Sequence, residues 1–171
     1  MIRSVKIEDA KYLLDIYSYY IKNTAISFEI TVPTLEEFES RIKYFQSKYP
    51  YLVIEEDGKI CGYAYAHEFG EREAYRYTVE LSIYLDKDCK GKGYGKLLYD
   101  KLENKLKDMD IKNMYAAVVC GDSDDKYIND TSFRFHKKMG FTEIGRFHKC
   151  GNKFGNWYDI VYLEKIIGEH K

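Results

Sequence analysis

The chain is short of several things, and each shortage removes a class of explanation. Only two prolines occur in 171 residues, with no repeat or low-complexity tract. No linker is visible, so residues 1–171 read as a single domain, long enough to bury a core without staples. No apolar run approaches the ~20 residues of a membrane span. The first ten residues hold Arg3, Lys6, Glu8 and Asp9 and do not read as a signal peptide. An excess of one charge is missing too. The formal net charge is -1, where a general nucleic-acid binder is strongly basic. Neither a nucleic-acid nor a membrane partner is expected. The four cysteines, at 61, 89, 120 and 150, form no Cys-x-x-Cys pair and match no zinc spacing with histidine. No metal is expected, and the thiols read as the reduced cysteines of a cytosolic protein.

Tyrosine, by contrast, is abundant, with 18 copies. It buries a ring while its hydroxyl reaches a partner, which suits the lining of a polar cleft; compositional bias is the plainer reading. Hydrophobic spacing predicts a strand over 2–7 and a helix over 9–23. Thr34 with Glu37 forms a capping box opening a second helix that runs to about Ser47. Asp57-Gly58 joins two strands as a hairpin. A strand over 75–85, a helix over 94–107, a strand over 114–120, a helix over 130–138 and two closing strands over 141–150 and 156–166 follow. The mixed order predicts an α/β (α+β) three-layer domain: a mostly antiparallel mixed sheet of about seven strands, with helices on both faces.

The stretch "CKGKGYGKLL", Cys89 to Leu98, leads glycines and lysines straight into a helix. A helix start exposes unpaired N–H groups and the positive end of the dipole, where phosphate binds and glycine lets backbone approach. A glycine turn with solvated lysines is the bland alternative. A Walker A loop fails here: three residues, not four, separate Gly91 from Gly95, and Leu97 stands where a hydroxyl residue belongs. The dinucleotide fingerprint fails as well, because Lys96 occupies the third glycine position.

The segment Lys90-Gly91-Lys92-Gly93-Tyr94-Gly95 resembles the acyl-CoA loop of the GNAT superfamily of N-acetyltransferases, whose pattern is Arg/Gln-x-x-Gly-x-Gly/Ala. Lys90 departs from that pattern, keeping charge but losing planar geometry. The likeness extends to "NTAISFEITVPT" (23–34), "GYAYAHEFGEREAYRYTVELSIYL" (62–85), "NDTSFRFHKKMGF" (129–141) and "GNWYDIVYLEK" (155–165). All are similar to the phosphinothricin N-acetyltransferase branch, except that Leu81 stands where that branch has histidine.

The resemblance implies an acetyl-CoA-dependent transferase acting on the α-amine of a small amino acid or analogue such as phosphinothricin, methionine sulfone or methionine sulfoximine. It implies a cytoplasmic homodimer. Residues Lys90, Gly91, Lys92, Gly93, Tyr94, Gly95 and Lys96 would hold the CoA pyrophosphate. The backbone of Ile83, Tyr84 and Leu85 would pair with pantetheine, and an N–H there would polarise the acetyl carbonyl. Asn129 and Ser132 fit the family's Asn-x-x-Ser. Glu80 is the candidate base, acting through water, or else a solvated carboxylate or a partner of Arg76. His136 stands where many relatives have a tyrosine that protonates the leaving thiolate; a structural hydrogen bond is the other reading. Phe28, Glu29, Arg72, Tyr75 and Thr78 would line the acceptor site, although Phe28 and Tyr75 also fit a core and Arg72 a surface ion pair. Three rivals remain. Glu29, Glu68, Glu71 and Glu73 keep open a polyamine acceptor, and a protein N-terminus is a related target. A non-catalytic acyl-CoA sensor would need the loop but not Glu80. A nucleotide-phosphate binder would need an unusual loop.

Overall fold

A computed structural model describes residues 1–171. In chain order the elements are β1 (Ile2–Ser4), α1 (Ala10–Asn23), α2 (Leu35–Gln46), β2 (Tyr51–Glu56), β3 (Lys59–Glu68), β4 (Thr78–Leu85), α3 (Tyr94–Asp108), β5 (Asn113–Cys120), α4 (Thr131–Lys138), β6 (Thr142–Lys153) and β7 (Asn156–Ile166). The strands make one seven-stranded sheet in the order β1-β2-β3-β4-β5-β7-β6. Every pairing is antiparallel except β4 with β5.

Local chemistry sets the element ends. The α2 capping box is present, with Glu37 N donating to Thr34 Oγ1 (3.2 Å) and Thr34 N to Glu37 Oε2 (2.7 Å). The β2–β3 turn places Asp57 and Gly58 at φ 50° and 79°, the left-handed pair that a tight hairpin requires. Two expected strands are shorter than their patterns. The first stops at Ser4 because the Asp9 carboxylate accepts from Lys6 N (2.7 Å) and starts a 3-10 turn. β4 begins at Thr78 because Tyr75 N donates to Arg72 O (2.9 Å) in a 3-10 turn over Glu73–Tyr75.

The sheet separates two cores. On one face α3 buries Leu98, Leu102 and Leu106 against Val79, Leu81, Met114, Ala116 and Val161. On the other, α1 and α2 bury Leu13, Ile16, Phe38 and Ile42 against Val53, Tyr51 and Tyr63. The period-two alternation of β4 decides what faces what. Val79 and Leu81 belong to the α3 side, so Glu80, Ser82 and Tyr84 face α1 and α2. The expectation of four free thiols is corrected: Cys61 and Cys89 are joined, with Cα atoms 5.5 Å apart, tying β3 to the turn before the glycine loop, while Cys120 and Cys150 are free.

Candidate active site

The parallel pair β4–β5 is in register only over Thr78–Glu80 and Asn113–Tyr115. Beyond that point β4 pairs only with β3, and β5 only with β7. The two strands therefore part, and the backbone of Ile83–Leu85 has no strand partner on its β5 side. Tyr20 donates its hydroxyl proton to Leu85 O (2.6 Å), fixing the end of β4 to α1.

The opening leads to the start of α3. Gly91 and Gly93 lie at φ 81° and 79°, and a Cβ on either would meet nothing within 4 Å. These glycines are needed for their left-handed backbone, and the space beside them is open. The first helical bond is Leu97 N to Gly93 O (3.2 Å), so the amides of Tyr94, Gly95 and Lys96 ahead of it have no partner in the protein. Gly95 serves packing, since a Cβ there would lie 3.1 Å from the Phe135 ring. The lysines are less uniform than their spacing implies. Lys92 pairs with Glu56 and Lys96 with Asp100, whereas Lys90 reaches over the rings of Tyr19 and Tyr20 at 5.9 and 5.3 Å. Both carboxylate pairs are exposed and weak, so they yield readily to a stronger anion. Free amides, open space and cations together fit a diphosphate.

The α4 side flanks a cavity of about 440 Å³ lined by Cys120, Asn129, Asp130, Phe133 and Arg146, among others. Asn129 Oδ1 accepts from Thr131 N (3.0 Å), which leaves its Nδ2 free. Ser132 is half-buried one turn above His136. His136 itself is 3% exposed. Its Nδ1 donates to Ser132 O (2.8 Å), because a carbonyl only accepts, and its Nε2 accepts from Tyr99 Oη (2.9 Å). Burial drives its pKa down to about 4, against the Ser132 carbonyl, which pulls the other way. That geometry favours the structural-hydrogen-bond reading of His136 over the general-acid one, because both ring nitrogens are engaged and the ring is shut in the core.

Among the residues expected on the acceptor side, Glu80 is half-buried and pairs with Arg76 nowhere; Arg76 stacks over Tyr77 instead, at 4.5 Å. Burial raises the Glu80 carboxyl pKa, and His67, directly opposite on β3, pulls it part of the way back. Glu29 is held bidentately by Arg41 (3.0 and 2.7 Å). Burial alone would lift the Glu29 pKa, but the hydrogen bonds from Arg41 and Tyr17 outweigh it and the net shift is downward. Phe28 lies against the backbone of Gly151 and near the Tyr158 ring at 6.4 Å, so it anchors its loop to the β6–β7 hairpin. Arg72 is exposed and makes no ion pair, leaving its guanidinium free. Tyr75 is exposed and edge-on to Phe69 at 5.3 Å, and Thr78 opens β4. The acidic surface that a polyamine would need is depleted, because Glu29 is taken by Arg41 and Glu68 by Lys48.

A family model described as acetyltransferase (GNAT) domain matches residues 2–162. The chain belongs to the GNAT acetyltransferase family. It is 34% identical over 97% of its length to a phosphinothricin N-acetyltransferase of Alcaligenes faecalis, covering 82% of that protein. It is 29% identical over 95% of its length to an L-methionine sulfoximine/L-methionine sulfone acetyltransferase of Salmonella typhimurium, covering 91% of it. Among solved structures, a GNAT phosphinothricin acetyltransferase from Sinorhizobium meliloti in complex with acetyl-CoA superposes with a TM-score of 0.89 at 31% identity, over 98% of this chain and 88% of that one. The chain is thus an N-acetyltransferase of GNAT type, with the open mixed sheet of that fold.

Three features around Glu80, Glu29 and Phe28 in this acetyltransferase were not expected from the sequence. His67 stands across from Glu80. Arg41 closes on Glu29. Lys153, buried at the end of β6, donates to Ser27 O (2.6 Å) and so holds the loop that carries Phe28 and Glu29. The first was available in principle: "YAYAHE" alternates Tyr63, Tyr65 and His67 onto one face.

Proposed function

We propose that this acetyltransferase transfers the acetyl group of acetyl-CoA to the α-amine of a small amino acid or amino-acid analogue. Phosphinothricin-, methionine sulfone- and methionine sulfoximine-like compounds, the substrates in its relatives' names, are the first acceptors to try. The observation that carries the reading is the parting of β4 from β5 onto the free amides of Tyr94, Gly95 and Lys96. When bound, acetyl-CoA supplies the acetyl group as an activated thioester. The amides at the start of α3, with Lys90, Lys92 and Lys96, would hold its diphosphate; Gly91 and Gly93 leave the room. The backbone of Ile83, Tyr84 and Leu85 would pair with the pantetheine arm, and Asn129 Nδ2 and Ser132 would meet its amides. An ammonium cannot attack a thioester, so a proton must leave the amine first. Glu80 is the base for that step, through water, and its raised pKa brings it closer to the amine's own. Arg72, free of acidic partners, would take the acceptor carboxylate with bidentate geometry. Phe28, Glu29, Tyr75 and Thr78 would form the rest of the lining.

A homodimer completes the reading. β6 is one of the sheet's two edge strands and is exposed from Thr142 to Cys150, with Ile144 and Phe147 52% and 57% exposed and Trp157, on the neighbouring β7, 63% exposed. Edge strands with large exposed apolar groups are normally covered. The test of function is thiol release from acetyl-CoA across amino acids, methionine sulfone, methionine sulfoximine, phosphinothricin, polyamines and short peptides. Release with an amino-acid-type acceptor, and acetylation at its α-nitrogen by mass spectrometry, is the expected result. CoA binding without turnover of any amine would replace the enzyme reading with a sensor.

A further inference from the structure

A second cavity, of about 280 Å³, lies between α2 and the sheet on the Glu80 face, lined by Tyr17, Phe38, Arg41, Ile42, Phe45, Tyr51, Tyr63, Tyr65 and Tyr84. Its walls are rings. Tyr51 stacks on Tyr65 at 4.6 Å with planes 7° apart, and Tyr63 continues the stack at 5.9 Å from Tyr51. Tyr51 and Tyr63 are 4% and 1% exposed. Neither hydroxyl makes a hydrogen bond to the protein, neither is fully shut off from solvent, and both residues line this space. Buried hydroxyls are nearly always satisfied, and leaving one dry costs about 1–3 kcal/mol. Two such hydroxyls on residues that line one cavity mark a place able to receive a hydrogen-bonding group. Burial also holds these phenols protonated, so they act as donors as well as acceptors.

The chemistry of that group follows from charge and shape. Arg41 is the one ionised side chain in the lining, and Glu29 already matches it bidentately. A phosphinate or carboxylate would enter without a free counter-charge, which is costly in a ring-lined space. A flat ring matches the stacked walls. The volume is ample, since a dry engineered cavity of about 150 Å³ holds benzene. Position fits as well. Tyr65 is in register with Ser82, two residues along β4 from Glu80. At about 3.3 Å per residue that is a step of roughly 7 Å, comparable to the reach from an α-amine to the ring hydroxyl of tyrosine.

We propose that this cavity is the side-chain subsite for the acceptor and takes an aromatic amino acid carrying a neutral hydrogen-bonding group on its ring, the tyrosine class. The proposal rests on the transferase reading above and narrows it. Arg41 lines the cavity, and its pair with Glu29, with side chains 42% and 32% exposed, reaches solvent.

The test compares kcat/KM for L-tyrosine, L-tryptophan, L-phenylalanine and methionine sulfone by thiol release. The wild-type protein and the Tyr51→Phe/Tyr63→Phe double variant are used, which keeps both rings and removes both hydroxyls. Expected is turnover of tyrosine, a fall of about tenfold in the double variant for tyrosine, two hydrogen bonds' worth, and less than a twofold change for phenylalanine. Ile42→Trp, which fills the cavity, should abolish aromatic turnover with CoA affinity unchanged. Saturation-transfer NMR supplies a readout without turnover: the ring protons of L-tyrosine should receive saturation from the wild-type protein and lose it with Ile42→Trp. Turnover of methionine sulfone but of no aromatic amino acid would overturn the subsite and leave the transferase reading standing. Equal losses for tyrosine and phenylalanine in the double variant would make the hydroxyls structural and overturn it too. No thiol release with any amine would overturn both readings together.

Discussion

Replacing Gly93 by aspartate separates charge from shape at the start of α3. Gly93 sits at φ 79° with nothing within 4 Å of a built Cβ, so the side chain clashes with no atom. The fold loses about 1–2 kcal/mol for left-handed backbone in an L-residue. It regains about 0.5–1 kcal/mol, because an aspartate at a helix N-cap accepts from the free amides and meets the positive dipole end. The net change in urea-melt stability is therefore within roughly 1 kcal/mol. The effect on CoA is different in kind. A carboxylate about 5 Å from a bound phosphate repels it by about 1 kcal/mol in water and about 3 kcal/mol at an effective dielectric of 20. A diphosphate presents that interaction twice, and the new side chain also takes the amides the phosphate needs. CoA affinity measured by calorimetry should fall at least tenfold, and more at low salt. Gly93→Ala is the control: it carries the backbone cost without the charge, and should bind CoA far better than the aspartate variant. Raising ionic strength should narrow the gap between them. Equal CoA affinity in the two variants would show that the diphosphate docks elsewhere, and the reading of the glycine loop would fail.

Other outcomes follow from the same geometry. Glu80→Gln should lower turnover while leaving CoA affinity intact, and should remove an acid limb of the rate profile that lies above the ordinary carboxylate range. Because burial raises the folded-state pKa of Glu80, its ionised form works against the fold above the unfolded pKa; the same variant should melt higher at pH 7 than the wild type, with the difference shrinking as pH falls. For His136 the sign is opposite. Its folded-state pKa is lowered from 6.5 to about 4, so its contribution is complete above 6.5 and is lost as pH falls towards 4. That is about 3 kcal/mol at most. His136→Gln should flatten this limb in urea melts taken across pH, and turnover at neutral pH should persist in proportion to the folded fraction; selective loss of kcat in a fully folded variant would restore the acid role. Phe147→Asp on the exposed edge strand should shift sedimentation to the monomer with the far-ultraviolet spectrum unchanged, whereas an unaltered sedimentation coefficient would remove that strand from the interface.

Most of the fold was legible because its signals are local. The Thr34–Glu37 box, the Asp57-Gly58 turn and the apolar spacing of α1 and α3 each depend on neighbours within a few residues. Seven strands and four helices appear in the order their patterns gave. Some errors lie in a local turn that the alternating pattern masks, and others arise where a side chain from farther away decides. Asp9, bound by Arg3 and capping Lys6, ends β1 early. Cys61 and Cys89 meet because β3 brings its bulge-side end beside the turn before α3. In the site, the glycine loop was readable because its amides are consecutive in sequence. The state of His136 was not, since Tyr99 lies 37 residues away and only packing decides whether a helix-face histidine looks outward or into the core. Arg41 and Glu29 likewise carry no motif; the return of α2 across the sheet is what joins them. Tyrosine abundance alone could not tell bias from function, because the stacking of Tyr51, Tyr63 and Tyr65 requires the β2–β3 register.

The most direct measurement is a crystal structure of the protein with coenzyme A. The diphosphate should rest on the amides of Tyr94, Gly95 and Lys96 beside Lys90, with the pantetheine arm lying along Ile83, Tyr84 and Leu85 where β4 and β5 part. Coenzyme A bound with its diphosphate away from residues 90–96, or its arm outside that opening, would contradict the account.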